Sequence, residues 1–206
     1  NGGTSRLTDA MAASLKSPVR LGHAVVAIEN SADGVTVECG DGRRFRAPTA
    51  ICAVPLPVLR KIAISPALPG RAAEAVAQTP YGAATSVVLH VKERFWEVDG
   101  MPPNIWSDLP IQRAFVNPSP AGEGEHLWVF TTGPADLGRR GLPDDELGRF
   151  VLAELNRVRP STVGRLEVAG VRSFTRDPLT LGTYASRAPG QIQRFGPEPD
   201  NPRSSF

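Results

Sequence analysis

The residues with the clearest chemical potential lie near the end of the chain, in a stretch rich in turn-forming residues. Phe174 and Tyr184 are separated by Asp177-Pro178 and by Gly182. Proline fixes its own φ and keeps the preceding residue out of the helical region, so the chain turns here. Glycine lets a ligand approach the backbone closely. The pattern predicts two aromatic side chains on opposite sides of one loop, where a large flat ligand could bind. A β-turn with two ordinary core aromatics is the alternative interpretation.

Residue types used in acid–base, nucleophilic or metal chemistry occur without the spacing that such chemistry needs. The acidic run 144–146 lies at a predicted helix start, where negative charge is favourable. His23, His90 and His126 are isolated, with no partner at i+4. The printed sequence has no Gly-x-Ser-x-Gly nucleophile motif. A chain without reactive groups of its own fits chemistry that belongs to a cofactor.

Short motifs along nearly the whole chain resemble the flavin-containing amine oxidases, the family of monoamine, polyamine and L-amino-acid oxidases. The motifs are, in order, Gly-Gly at 2–3 with Arg-Leu at 6–7, the apolar strand 25–28, Ala-Val-Pro at 53–55, Ser-Pro-Ala-Leu-Pro at 65–69, Tyr-Gly at 81–82, Phe-Trp at 95–96, and the aromatic, Asp-Pro, Gly-x-Tyr and Pro-Gly series over 174–190. Each motif is weak by itself, whereas the ordered set is specific.

The resemblance implies FAD as the cofactor and a small amine as the substrate. It implies that the backbone of Val25 contacts the adenine end of FAD. It also implies that Phe174, a position usually occupied by tryptophan, lies beside the flavin ring and that Tyr184 stands over its reacting face. Aromatic π-faces attract an amine nitrogen, so the two rings would guide the substrate toward the flavin. Hydride transfer from the carbon beside that nitrogen would give an imine, and oxygen would reoxidise the flavin.

One position departs from the family pattern. The family commonly places a lysine on the strand after Tyr-Gly, and the matching residue is Ser86. A neutral hydroxyl does not supply the positive charge that stabilises reduced oxygen. Slow reoxidation, another electron acceptor and a less usual substrate are all consistent with Ser86. Trp106 and Phe115 are candidates for lining the substrate pocket, with core packing as the alternative.

The Gly-x-Gly-x-x-Gly dinucleotide motif and the family's closing flavin segment have no counterpart in the printed sequence. We therefore expect a middle-to-late fragment of an amine oxidase that is inactive alone and does not retain FAD. Two other functions stay open. One is an FAD-dependent desaturase similar to protoporphyrinogen oxidases, and the other is a non-catalytic binding or scaffolding domain.

The composition is that of a globular protein, with 41% hydrophobic and 21% charged residues and a net charge of +2. Arginines are scattered, which argues against a nucleic-acid partner. No run is long and apolar enough to span a membrane and the first residues do not resemble a signal peptide, so the sequence predicts no membrane partner and a cytoplasmic location. Open strand edges would favour a homo-oligomer.

Helix and strand signals predict an α+β fold with a mixed β-sheet substrate domain covered by helices, plus partial FAD-binding-domain segments. The predicted helices are 6–15, 57–63, 70–77 and 143–158, and the predicted strands are 19–21, 23–29, 35–39, 43–46, 50–54, 85–91, 111–116, 127–131 and 165–174. The continuously apolar run 50–54 is typical of a strand buried on both faces. The predicted divisions are 1–76 for an FAD-domain segment, 77–176 for the substrate-binding domain and 177–206 for the start of a final FAD-domain segment with a disordered tail.

Overall fold

The computed structural model describes residues 4–118 and 124–196. The chain forms two compact units, which are described separately. Unit 1 comprises Asn1–Lys16 and Ala83–Asp177, and unit 2 comprises Ser17–Gly82 and Pro178–Phe206. The Gly-Gly motif at 2–3 and the predicted disordered tail beyond 196 lie outside the described residues. The assignment of substrate and FAD-binding roles to parts of the chain stays a prediction.

Helices and strands are interspersed along the described part of the chain, and in two places three strands follow one another without a helix between them. The helices are α1 (Ser5–Ala13), α2 (Leu56–Leu59), α3 (Gly70–Gln78), α4 (Phe95–Asp99), α5 (Pro134–Leu137), α6 (Asp144–Val158) and α7 (Gln191–Phe195), with a 3-10 turn at Pro160–Thr162. The strands are β1 (Val25–Ser31), β2 (Gly34–Cys39), β3 (Arg44–Ala47), β4 (Ala63–Ser65), β5 (Ala84–Val91), β6 (Ile105–Trp106), β7 (Arg113–Pro118), β8 (Glu125–Thr132) and β9 (Leu166–Ser173). The α+β class is confirmed.

Unit 2 contains a four-stranded sheet in the order β3-β2-β1-β4. The two Asp-Gly signals form hairpins as predicted, since β1 pairs with β2 and β2 with β3 in antiparallel fashion. The β1–β4 pair is parallel, so the sheet of unit 2 contains both parallel and antiparallel pairs and is a mixed sheet. In the larger sheet, each strand pair between described residues is antiparallel.

The predicted buried strand at 50–54 is wrong. The segment has no regular secondary structure, and Ile51 is 97% exposed. An apolar run becomes a buried strand only if neighbouring strands pair with it, and none does so within the described residues. The position beside β1 is occupied by β4 instead. The predicted strand 19–21 is also wrong, because the described backbone there is irregular.

Unit 1 is built on a five-stranded sheet in the order β6-β7-β8-β5-β9. Side chains alternate between the two faces of a strand, and one face forms the core. Its fully buried members on β5 and β8 are Val87, Leu89, Leu127 and Val129. The predicted helix 143–158 is confirmed as α6, and it packs its apolar stripe, Leu147, Val151 and Leu155, into the same core.

Two contacts keep α6 and the segment before β6 in place. A Cβ at Gly148 would lie 2.8 Å from Val168 Cγ1, so glycine allows the helix to approach β9 closely. Just after α6, the Arg159 guanidinium donates two hydrogen bonds of 2.8 Å to the carboxylate of Asp99 and one of 2.6 Å to the carbonyl of Pro102. The two hydrogen bonds from Arg159 to Asp99, followed by one from Ser161, hold the pKa of Asp99 well below its ordinary value.

Candidate active site

The strand register brings five side chains into one row across the sheet of unit 1. Trp106 lies opposite Arg113, Arg113 opposite Phe130, Phe130 opposite Ser86, and Ser86 opposite Arg172. Directly opposite residues on neighbouring strands project from the same face. These five residues, here called the cross-strand row, therefore lie on the face opposite the α6 core.

The cross-strand row belongs to a larger aromatic surface, here called the aromatic face. Phe115 forms an edge-to-face pair with Trp106 at a centroid separation of 5.5 Å and lies 6.4 Å from Phe130. Phe130 stacks against Trp128 at 6.3 Å. Trp106 is 70% exposed and Trp128 is 36% exposed, so the rings form a surface that a ligand can contact. Trp106 and Phe115, the two predicted lining residues, are brought together here.

Sequence reasoning missed Trp128 and Phe130 as members of this surface. The signal was present, because Leu127 and Val129 alternate with them along β8 and are fully buried. Because successive side chains of a strand point to opposite faces, Trp128 and Phe130 must lie on the face opposite the buried one. Placing them beside Phe115 required the register between β7 and β8, which the sequence does not state.

Ser86 is 3% exposed, and its hydroxyl has no hydrogen-bond partner among the described residues. It lies between Phe130 and Arg172 in the cross-strand row. Leaving a buried polar group unpaired costs about 1–3 kcal/mol. A hydroxyl in this state is a group that a ligand can satisfy.

Phe174 extends the same face beyond the end of β9. Its N–H donates to the carbonyl of Ala84 over 3.0 Å, which continues the β9–β5 ladder. The guanidinium of Arg172 lies 5.7 Å from the centroid of the Phe174 ring and forms an ion pair with Asp177. Four predicted site residues, Trp106, Phe115, Ser86 and Phe174, thus share one face of one sheet.

Tyr184 belongs to unit 2, where backbone contacts hold it. The N–H of Gly82 donates to the Tyr184 carbonyl over 2.9 Å, and the N–H of Thr183 donates to the Gly82 carbonyl over 2.8 Å. A Cβ at Gly82 would lie 3.4 Å from two atoms of the Tyr184 ring, and one at Gly182 would lie 2.8 Å from Cδ1 of Tyr81. Each tyrosine therefore packs against a glycine of the other segment. The arrangement leaves Tyr184 64% exposed.

Val25, the predicted FAD-adenine contact, is the first residue of β1 in unit 2. It is half-buried and pairs with Cys39, next to an irregularity in the β1–β2 register. The prediction that Phe174 and Tyr184 enclose one slot involves both units and stays a prediction. The roles of all six predicted residues likewise stay predictions.

Two kinds of chemistry have no site in the described part of the chain. Across residues 4–118 and 124–196, no three side chains of the histidine, cysteine, aspartate and glutamate types come together in a way that could hold a metal ion. Over the same residues, no helix combines the length and the apolar character needed to cross a membrane.

Comparison with known proteins shows the family to which this chain belongs. The family model described as flavin containing amine oxidoreductase matches residues 1–205. The flavin-dependent L-tryptophan oxidase RebO of Lentzea aerocolonigenes is 29% identical in an alignment of 195 residues that covers 90% of this chain and 41% of that protein. Polyamine oxidase 2 of Arabidopsis thaliana is 36% identical over 169 residues, 81% of this chain and 34% of that protein.

Solved structures agree in fold. A triple mutant of putrescine oxidase matches with a TM-score of 0.78 at 23% identity, over 95% of this chain and 44% of that chain. Cyclohexylamine oxidase from Brevibacterium oxydans IH-35A matches with a TM-score of 0.71 at 22% identity, over 93% of this chain and 42% of that chain.

This chain belongs to the flavin-containing amine oxidoreductase family. It spans less than half the length of these relatives. Members of the family use FAD, so the predicted family and its cofactor are confirmed.

Proposed function

We propose that the whole protein is an FAD-dependent amine oxidase that converts a small amine to an imine, with oxygen as the electron acceptor. The observation that carries the proposal is the aromatic face, with the buried and unpartnered hydroxyl of Ser86 next to Phe130 on the same face, in a chain of this family. The named relatives act on different substrates, among them L-tryptophan and polyamines, so the family by itself leaves the amine open.

The residues on the aromatic face fit one side of a flavin ring. The hydroxyl of Ser86 has an unused hydrogen-bonding capacity, and the Phe174 ring offers a flat apolar contact on the same face. We assign both residues to the flavin ring and the backbone of Val25 to the adenine end. FAD, when bound, accepts the hydride from the carbon beside the amine nitrogen.

The aromatic rings would bind and orient the amine of the substrate. They would take no part in breaking the C–H bond. The negative π-face of an exposed ring attracts an amine nitrogen and excludes water from it. Tyr184, with 64% of its surface exposed and its backbone fixed by Gly82, is suited to this role. The cross-strand row contains no carboxylate or imidazole, so we expect the substrate to lose its ammonium proton to solvent before oxidation.

The proposal is tested on the whole protein loaded with FAD. The substrates are a panel of primary amines, secondary amines and polyamines. Anaerobic mixing with a substrate should bleach the flavin absorbance, and admission of oxygen should restore it with release of peroxide. The anaerobic step reports amine oxidation by itself and so separates it from the choice of acceptor. A flavin-loaded protein that no amine bleaches would contradict the proposal.

We also propose that the 206-residue chain by itself retains little FAD and is inactive. The sequence contains no Gly-x-Gly-x-x-Gly loop, and pyrophosphate binding at such a loop supplies much of the affinity for a dinucleotide. The chain should purify colourless, and an absorbance band of bound flavin would disprove this. Light scattering on the same sample tests the predicted homo-oligomer. The location in the cell stays a prediction.

A further inference from the structure

The cross-strand row contains two arginines in different electrostatic surroundings. Arg172 forms an ion pair with Asp177, so its charge is balanced within the chain. Arg113 has no ion pair with any carboxylate in residues 4–118 and 124–196. Its guanidinium instead lies 5.7 Å from the centroid of the Trp106 ring.

The other neighbours of Arg113 on this face are aromatic or neutral. Phe130 lies directly opposite it on β8, Phe115 follows two residues later on β7, and Ser86 is the next member of the row after Phe130. Arg113 itself is half-buried. A guanidinium that is partly desolvated and lacks a counter-ion is suited to bind a carboxylate through two parallel hydrogen bonds.

We propose that Arg113 binds a carboxylate of the substrate, so that the protein oxidises amines that also carry a carboxylate group. This inference rests on the proposed function. The backbones of Arg113 and Ser86 are two strand spacings apart, about 10 Å, with Phe130 between them. When Arg113 binds the carboxylate of a substrate, the rest of that substrate lies over an aromatic surface. There the π-face of a ring can attract the amine of the substrate.

Binding is tested by calorimetry on the whole protein with two probes that cannot report turnover. Phenylpropionate carries the ring and the carboxylate without the amine, and phenethylamine carries the ring and the amine without the carboxylate. We expect phenylpropionate to bind the native protein and to bind Arg113→Met about tenfold or more weakly. Phenethylamine should bind both proteins equally.

Two further variants control this experiment. Arg149→Met removes an exposed arginine of α6 that pairs with Asp145, and it should bind phenylpropionate as the native protein does. Arg113→Lys keeps the charge without the planar fork and should recover part of the affinity. The inference is overturned if the native protein does not bind phenylpropionate, or if Arg113→Met binds it as tightly.

Turnover on matched pairs separates this inference from the proposed function. The pairs are L-phenylalanine with phenethylamine and para-aminomethylbenzoate with benzylamine. In at least one pair, the native protein should have a higher kcat/KM for the compound with the carboxylate than for the plain amine. Arg113→Met should lose that preference through a higher KM for the carboxylate compound, with little change in kcat. A native preference for both plain amines, or a preference that survives in Arg113→Met, overturns the inference. If no compound is oxidised, the proposed function fails, and calorimetry still decides the role of Arg113.

Discussion

The aromatic face of unit 1 and the Tyr184 loop of unit 2 position their side chains by opposite means. The aromatic face takes its side chains from neighbouring strands, and their positions follow from cross-strand register. The Tyr184 loop depends on backbone hydrogen bonds and on two glycines that leave room for tyrosine rings. We infer that the aromatic face tolerates changes of single side chains, whereas the loop is sensitive to the addition of one methyl group.

The largest expected effect is that of Gly182→Ala. Gly182 has a φ of +144°, and a Cβ there would lie 2.8 Å from Cδ1 of Tyr81 and 2.9 Å from the backbone oxygen of Gly82. Backbone strain and overpacking together should reduce the free energy of unfolding by roughly 2 kcal/mol or more. Urea unfolding measures the effect. Gly70→Ala is the matched control, since nothing lies within 4 Å of its Cβ position. Equal stability of the two variants would disprove the special role of Gly182.

Tyr184→Ala tests the same loop through function instead of stability. The side chain is 64% exposed, so its removal should leave the melting temperature nearly unchanged. If the ring guides the amine, kcat/KM of the flavin-loaded whole protein should fall about tenfold. Tyr184→Phe keeps the ring and should remain close to native. Unchanged kinetics in Tyr184→Ala would refute the assignment.

A pH experiment tests the Arg159–Asp99 contact, which helps to hold the segment before β6 in place. Hydrogen bonds from Arg159 lower the pKa of Asp99 in the folded state below its value of about 4 in the unfolded chain. The contribution of this carboxylate to stability is therefore complete above about pH 4 and is lost as the pH falls through the folded-state pKa. Arg159→Met removes the cause of the shift.

The difference in melting temperature between the native protein and Arg159→Met should thus be largest near neutral pH and should narrow below about pH 4. Asp145→Asn, which affects an exposed pair on α6, serves as the control and should show a much smaller difference at neutral pH. A difference that stays constant down to strongly acidic pH would contradict this account.

The smallest expected effect is that of Ser86→Ala on the flavin-free protein. The hydroxyl is buried without a partner in the described part of the chain, so its loss should leave stability unchanged or raise it by up to about 1 kcal/mol. In the flavin-loaded protein the same variant should bind FAD more weakly if the hydroxyl contacts the ring. A loss of stability without flavin would show that Ser86 already has a partner.

The sequence predicted the parts of the fold that local patterns determine. Helix α6 was recognised from its acidic first turn and apolar stripe, and the two Asp-Gly hairpins from their turns. The error at 50–54 arose because apolar character indicates burial without naming a pairing partner. Whether such a run is covered depends on residues that are distant in sequence.

The same limit applied to the candidate site. Trp106, Phe115, Ser86 and Phe174 were singled out by type or by family resemblance, while their common face follows only from register over five strands. Arg113 and Arg172 were missed because an arginine in a strand carries no local sign of its neighbours. The packing of Tyr184 on Gly82 joins positions about a hundred residues apart, which spacing alone does not predict.

Strand β6, which carries Trp106, consists of two residues at the edge of the sheet. So short a pairing cannot hold an edge strand in register without outside support. Part of that support comes from hydrogen bonds on either side of β6, from Val116 N–H to Asn104 Oδ1 and from Ser107 N–H to the Gln112 carbonyl. Another part comes from three residues earlier, where Arg159, just after α6, donates a hydrogen bond to the Pro102 carbonyl. A substitution at this distant helix end would therefore loosen the outermost ring of the ligand surface, although it touches no ligand.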